Sequence, residues 1–194
     1  MSDAAERHRT HADAFGLRVR GVAAWDVPTP VPEWTARDVV RHLVEWFPPF
    51  LAGGSDVELA AGPSVDDDPV AAWTHQARAI QAILDEPGSA AATFAHPMIP
   101  ACPLPEAIDR FYTTDVFMHT WDLARATGQD DRLDPAECAT LLEGMEPLDE
   151  MLRASGQYGA RVPVAGDADG QTRLIAFIGR DPAWTPATAP TLPS

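Results

Sequence analysis

The stretch Ile108-Asp-Arg-Phe-Tyr-Thr-Thr-Asp-Val-Phe-Met-His-Thr-Trp-Asp-Leu-Ala-Arg-Ala126 sets Ile108, Tyr112, Asp115, His119, Asp122 and Ala126 at alternating spacings of four and three. That alternation is one face of an α-helix, so the spacing predicts a helix from near Pro105 to Gly128, a glycine being the favoured residue just past a helix C-terminus. Asp115, His119 and Asp122 are ionisable, yet they share a stripe with Ile108, Tyr112 and Ala126. A carboxylate on an apolar face costs several kcal/mol unless it is paired, protonated or bound to a cation. This helix therefore carries both the core and the chemistry.

Helical periodicity continues on both sides of it. Residues 2–24 place Ala5, His8, Ala12, Phe15, Val19 and Val22 on one stripe. A proline-rich connector follows, and Thr35-Ala-Arg-Asp38 then offers a hydroxyl and a carboxylate three apart, the pattern of a helix N-terminus. The second helix is expected to run to about Leu51, with Val39, Val40, Leu43, Phe47 and Phe50 facing inward, before Gly53-Gly54 interrupts. Asp68-Pro69 opens a third over 69–85, with Val70, Trp73, Ala77, Ile80 and Leu84 buried. A loop of about twenty residues leads to the helix quoted above. Asp134-Pro135 opens a fifth, carrying Leu141, Leu142, Met145, Leu148 and Leu152 and ending before Gly156.

Strand signals are almost absent, since Arg161-Val-Pro-Val-Ala is short and broken by proline. The expected fold is all-α, a four-helix bundle with an accessory helix over 1–156. A C-terminal segment, 157–184, is expected to pack on the bundle through Arg173-Leu-Ile-Ala-Phe-Ile-Gly179, and the Pro/Thr/Ala-rich tail 185–194 to be disordered.

The chain has 194 residues and 45% hydrophobic content, enough for one domain with a sizeable core. All fourteen basic residues are arginine, and twenty-nine acids bring the net charge to −15. Such a surface repels phosphate backbones and anionic lipids, which argues against nucleic-acid and membrane partners. No apolar run approaches the roughly 20 residues that cross a bilayer, and the N-terminus lacks the order of a signal peptide. A cytoplasmic location is expected. Cys102 and Cys138 show no metal-knuckle spacing and are read as reduced thiols.

Asp115 and His119, four apart, project together and could reach one cation, which needs a third ligand from elsewhere. Among the other histidines His42 is preferred, because it lies at the edge of the buried stripe of the second helix. His8, with His11 beside it, and His96 stay in reserve; His75 points away from its helix's apolar stripe. The same spacing also fits a metal-free pair in which Asp115 and His119 satisfy each other. Asp122 could orient a ligand imidazole, or pair with Arg125 three residues on. Two histidines and a carboxylate suit zinc, nickel or ferrous iron, and leave a coordination position open.

Three stretches carry a family resemblance. Thr114-Asp-Val-Phe-Met-His-Thr-Trp-Asp-Leu-Ala-Arg-Ala-Thr-Gly128 resembles the signature of the mycothiol-dependent maleylpyruvate isomerase N-terminal family, within the DinB-like superfamily. Trp34-Thr-Ala-Arg-Asp-Val-Val-Arg-His42-Leu-Val resembles its second-helix start, and Arg173-Leu-Ile-Ala-Phe-Ile-Gly-Arg-Asp-Pro-Ala-Trp184 its C-terminal phrase. The resemblance implies a DinB-like bundle in which His42, Asp115 and His119 hold a divalent metal, usually zinc, with mycothiol as thiol cosubstrate. Characterised isomerases of the family have glutamate where Asp115 stands, so the shorter side chain would bring the helix closer to the ion or bind it through water. They also carry a separate C-terminal domain, whereas about forty residues follow the bundle here. The activities implied are a thiol-dependent isomerase or S-transferase acting on a small electrophile, and the alternative is a non-catalytic metal-binding or interaction module. A homodimer could form through apolar residues near Trp25 and the last short helix.

Overall fold

The computed structural model describes residues 3–97 and 99–186. Helix α1 spans Asp3–Arg20, α2 Ala36–Glu45, α3 Phe47–Gly54 and α4 Pro69–Asp85. A hairpin of β1 (Thr93–His96) and β2 (Ile99–Pro103) precedes α5 (Leu104–Ala107), a π-helical turn (Ile108–Thr113) and α6 (Thr114–Thr127). Helices α7 (Pro135–Met145), α8 (Asp149–Ala154) and α9 (Gly170–Phe177) complete the chain. The all-α reading holds, with the hairpin as an addition.

Helices α1 and α2 each pack against both α4 and α6, closing a four-membered ring. Its interior holds Phe15, Val39, Leu43, Phe47, Trp73, Ile80, Ile108, Tyr112 and Val116. A second apolar cluster lies on the other side of α6, where Phe117, Met118 and Trp121 meet Cys138 and Leu142 of α7 and Leu174, Ile175 and Phe177 of α9. Helix α6 is therefore buried on nearly every face and runs between two cores. Helix α9 buries Leu174, Ile175 and Phe177 within this cluster.

Local chemistry explains where the boundaries fall. Thr35 and Asp38 form a reciprocal cap on α2, the Thr35 side chain accepting from the Asp38 N–H and Asp38 from the Thr35 N–H at 2.9 Å. The expected single helix to Leu51 breaks at Trp46, because Pro48 and Pro49 have no N–H to donate to the carbonyls of the preceding turn. Asp68 caps α4, which keeps the predicted limits Pro69–Asp85. Helix α1 ends at Arg20 rather than near Ala24, with Gly21 following.

The helix expected from Pro105 to Gly128 is interrupted by the π turn, in which the Thr114 N–H donates to the Asp109 carbonyl five residues back. In the loop before it, Thr93 pairs with Pro103, Phe94 with Cys102 and His96 with Ile99. The expected tail 185–194 falls outside the described residues from 187 onward. No helix of the described residues is long and apolar enough to cross a membrane.

Candidate metal centre

His42 stands in the last turn of α2, Asp115 in the first turn of α6 and His119 one turn further on. His42 Nε2 lies 2.9 Å from Asp115 Oδ2, and His119 Nε2 lies 3.4 Å from Asp115 Oδ1. One donor atom from each of the three residues lies within 4.8 Å of the others. Two helices of the ring thus bring their polar residues to one point.

The far side of His119 decides what its near side can do. Asp122 Oδ2 is 2.8 Å from His119 Nδ1, and the Asp122 side chain is fully buried. Burial alone would raise its carboxyl, but the Arg180 guanidinium and the bond from His119 outweigh that and hold it below the ordinary carboxylate range. An ionised Asp122 only accepts, so His119 donates from Nδ1. In the neutral ring Nε2 then offers a lone pair, and it faces a carboxylate oxygen of Asp115 that also only accepts. Two acceptors 3.4 Å apart in a largely buried site call for a positive charge between or upon them. A second proton on His119 supplies one, and a metal ion supplies the other.

Asp115 experiences the same environment. Burial raises its carboxyl, while the neighbouring His119 and the hydrogen bond with His42 more than reverse this and leave it below its usual value. Tyr158 is pushed up to about 12, first by burial and then by the negative field of Asp115, so its phenol stays protonated near the site.

Aromatic rings enclose the cluster. Trp34 stacks on His119 with centroids 5.7 Å apart and lies 5.0 Å from the His42 ring. Trp46 stacks on the other side of His42 at 5.9 Å. The connector folds tightly to place Trp34: Thr29 N–H donates to the Trp34 carbonyl and Trp34 N–H to that of Val31. Glu33, immediately before it, takes φ +67°, a left-handed conformation uncommon for a residue with a side chain. The His42 and Asp115 side chains keep 29% and 18% exposure, so one side of the cluster opens to solvent.

The donor set suits a divalent ion. An ion about 2.0–2.2 Å from three tetrahedrally arranged donors separates those donors by about 3.3–3.6 Å. His42 Nε2 lies 2.9 Å from one Asp115 oxygen and His119 Nε2 3.4 Å from the other, and one donor atom per residue lies within 4.8 Å of the others, so the three side chains can close on one ion by rotating together. Helices α2 and α6, which carry the three residues, pack directly against each other.

Other sequence candidates lie elsewhere. His8 bonds Gln81 across α1 and α4, and His11 meets the Phe117 ring edge-on. His75 bonds the Ala60 carbonyl, and His96 stacks on Phe94 in the hairpin. Arg125 does not pair with Asp122: its guanidinium reaches Asp131 at 2.7 Å and the Pro182 carbonyl at 2.5 Å. Arg180, given no role by the sequence and quoted only within the C-terminal phrase, takes that place at 3.2 Å. Trp34 was also missed as a wall, having been noted only as part of a helix-start pattern.

The chain is 33% identical over 182 residues to an uncharacterized protein of Mycobacterium tuberculosis strain CDC 1551 / Oshkosh, covering 89% of this chain and 95% of that protein. An uncharacterized protein of strain ATCC 25618 / H37Rv matches to the same extent. No solved structure matches significantly. The model of the mycothiol maleylpyruvate isomerase N-terminal domain matches residues 8–124, a span that contains His42, Asp115, His119 and Asp122. Because that match covers more than half of the chain, the chain belongs to the mycothiol maleylpyruvate isomerase N-terminal domain family.

Proposed function

We propose that His42 Nε2, the Asp115 carboxylate and His119 Nε2 hold one divalent ion, zinc before nickel or ferrous iron, at the working centre of a thiol-dependent isomerase or S-transferase. The observation that carries this is the pair of acceptors, His119 Nε2 and Asp115 Oδ1, facing each other at 3.4 Å while Asp122 fixes the proton of His119 on Nδ1. Family membership supports mycothiol as the thiol. A bound divalent ion would supply Lewis acidity that favours the thiolate of a thiol at neutral pH.

The chain's own residues prepare that chemistry. Asp122 holds the His119 ring in one orientation and one tautomer. Trp34 and Trp46 shield the two imidazoles from water on their faces. The exposed edge shared by His42 and Asp115 leaves room for a small thiol and an electrophile, and the Tyr158 phenol, kept protonated, is available to donate a hydrogen bond nearby.

Metal analysis of protein purified without a polyhistidine tag should return one divalent ion per chain. Cobalt-substituted protein titrated with mycothiol should then develop sulfur-to-metal charge-transfer absorption, and an electrophile with a conjugated double bond should be isomerised or conjugated. A protein that binds no divalent ion fails the first requirement and leaves protonated His119 as the cation. Bound cobalt whose spectrum ignores mycothiol favours a metal-binding module without thiol chemistry.

A further inference from the structure

We propose that Arg180, in the C-terminal segment and outside the span matched by the family model, is a positioning residue for the metal centre, acting on His119 through Asp122. Arg180 Nη2 donates to Asp122 Oδ2 at 3.2 Å and Nε approaches Oδ1 at 3.4 Å, while Asp122 Oδ2 also receives His119 Nδ1–H at 2.8 Å. The three groups form a line from the C-terminal turn to the ligand. The planar guanidinium addresses both carboxylate oxygens at once, which fixes the plane of the carboxylate and hence the direction from which it pulls on the imidazole.

The segment is built to deliver this one side chain. Helix α9 ends in a Schellman turn, with Gly179 N–H donating to the Ala176 carbonyl and Arg180 N–H to the Ile175 carbonyl. Gly179 has φ +87°, and a Cβ there would lie 2.7 Å from the Gly159 backbone, so glycine is required on both counts. Arg180 Nη1 folds back onto the Ile178 carbonyl at 3.1 Å. Beyond it, Arg125 grips the Pro182 carbonyl, and behind it Leu174, Ile175 and Phe177 are buried against α6 and α7. Arg180 is thereby braced on both sides. All its nitrogens are engaged by Asp122 and Ile178, which gives it the role of a holder rather than a substrate contact.

This inference rests on the metal reading for its consequence but has a consequence of its own in the metal-free protein. Nitrogen-15 NMR of the His119 imidazole should show an Nδ1–H held in a hydrogen bond to Asp122 in wild type, and that Nδ1 signal shifted and broadened in Arg180→Gln and in Asp122→Asn. In a zinc or cobalt competition titration, Asp122→Asn should lose about 10–100-fold in affinity and Arg180→Gln about 10-fold. The double variant should lose no more than Asp122→Asn alone, because Arg180 acts through that carboxylate. Arg180→Lys, which keeps the charge and not the fork, should fold and fall between wild type and Arg180→Gln. Arg161→Gln removes a guanidinium stacked on Phe177 in the same segment, and should lower thermal stability without changing affinity.

A wild type that binds no metal yet shows the change at Nδ1 keeps the positioning role and removes the metal reading. An unchanged Nδ1 signal in Arg180→Gln overturns the inference. So does a loss in Arg180→Gln that simply adds to that of Asp122→Asn.

Discussion

His42→Ala separates a metal centre that ties two helices together from a polar cluster that merely satisfies itself. His42 is the one proposed ligand on α2, whereas Asp115 and His119 both stand on α6. Removing it from the metal-free protein deletes a hydrogen bond to a charged partner at 2.9 Å and the ring contacts to Trp34 and Trp46. The side chain is 29% exposed, which places the cost near the low end of the range for such bonds, about 2 kcal/mol. For a chain of this size that lowers Tm by about 4–8 °C. Zinc at a free concentration one hundred times Kd adds about 2.7 kcal/mol to a protein that binds it only when folded, or about 5–11 °C. Calorimetry with buffered zinc should therefore show that shift in wild type, while His42→Ala melts lower without metal and gains almost nothing with it. The two ligands left on α6 cannot cross-link helices. If His42→Ala keeps a zinc-induced shift of wild-type size, the ion, if bound at all, is bound without α2, and the reasoning fails.

Gly179→Ala should destabilise the chain by about 1–3 kcal/mol, from the left-handed backbone and the clash with Gly159, and should weaken metal binding with it; urea unfolding and zinc titration of the same samples check both. His11 has its pKa lowered from 6.5 to about 4, chiefly by burial. The unfolded chain therefore binds more protons between those values, so the stabilising effect of a neutral His11 is complete above pH 6.5 and is lost as pH falls toward 4. The loss approaches about 3 kcal/mol, and His11→Gln should flatten the stability of metal-free protein over that window. Cys138 is fully buried, and burial pushes its thiol up to about 11. Native protein at pH 8 should leave it unlabelled by a disulfide reagent, with reaction following global unfolding.

What the sequence revealed depended on how local the cause was. Asp68 capping Pro69–Asp85 and the pair Thr35/Asp38 are contacts within one turn, so those boundaries could be read directly. The stripe on α6 could be read because periodicity alone sets which residues share a face. The break at Trp46 could also have been foreseen, since two consecutive prolines remove two consecutive donors. The hairpin was hidden by prolines at its ends, and the π turn by the absence of any residue type that requires it. Arg125 looked as suitable as any partner for Asp122 because it is three residues away, yet α6 turns it toward Asp131. Arg180 is fifty-eight positions from Asp122, and only the packing of α9 brings it there. A usable signal did exist: an apolar run ending in Gly179-Arg180 marks a helix stop that throws its next side chain back across the helix end.

The position of α6 explains why the buried charges are tolerable. A four-helix ring by itself would cover only one side of this helix and leave Asp122 near water. The second apolar cluster closes that side, so Asp122 must be neutralised from within the fold. Arg180 does so, and its positive charge also lowers the carboxyl of Asp115 further along the line. One guanidinium faces two carboxylates, so the cluster carries one net negative charge before any ion or proton is added. The missing positive charge lies where His119 Nε2 and Asp115 Oδ1 face each other. A divalent ion held there would supply it. In a zinc titration His119→Ala, which removes that lone pair, should lose stoichiometric binding, whereas zinc retained at wild-type affinity would place the ion elsewhere.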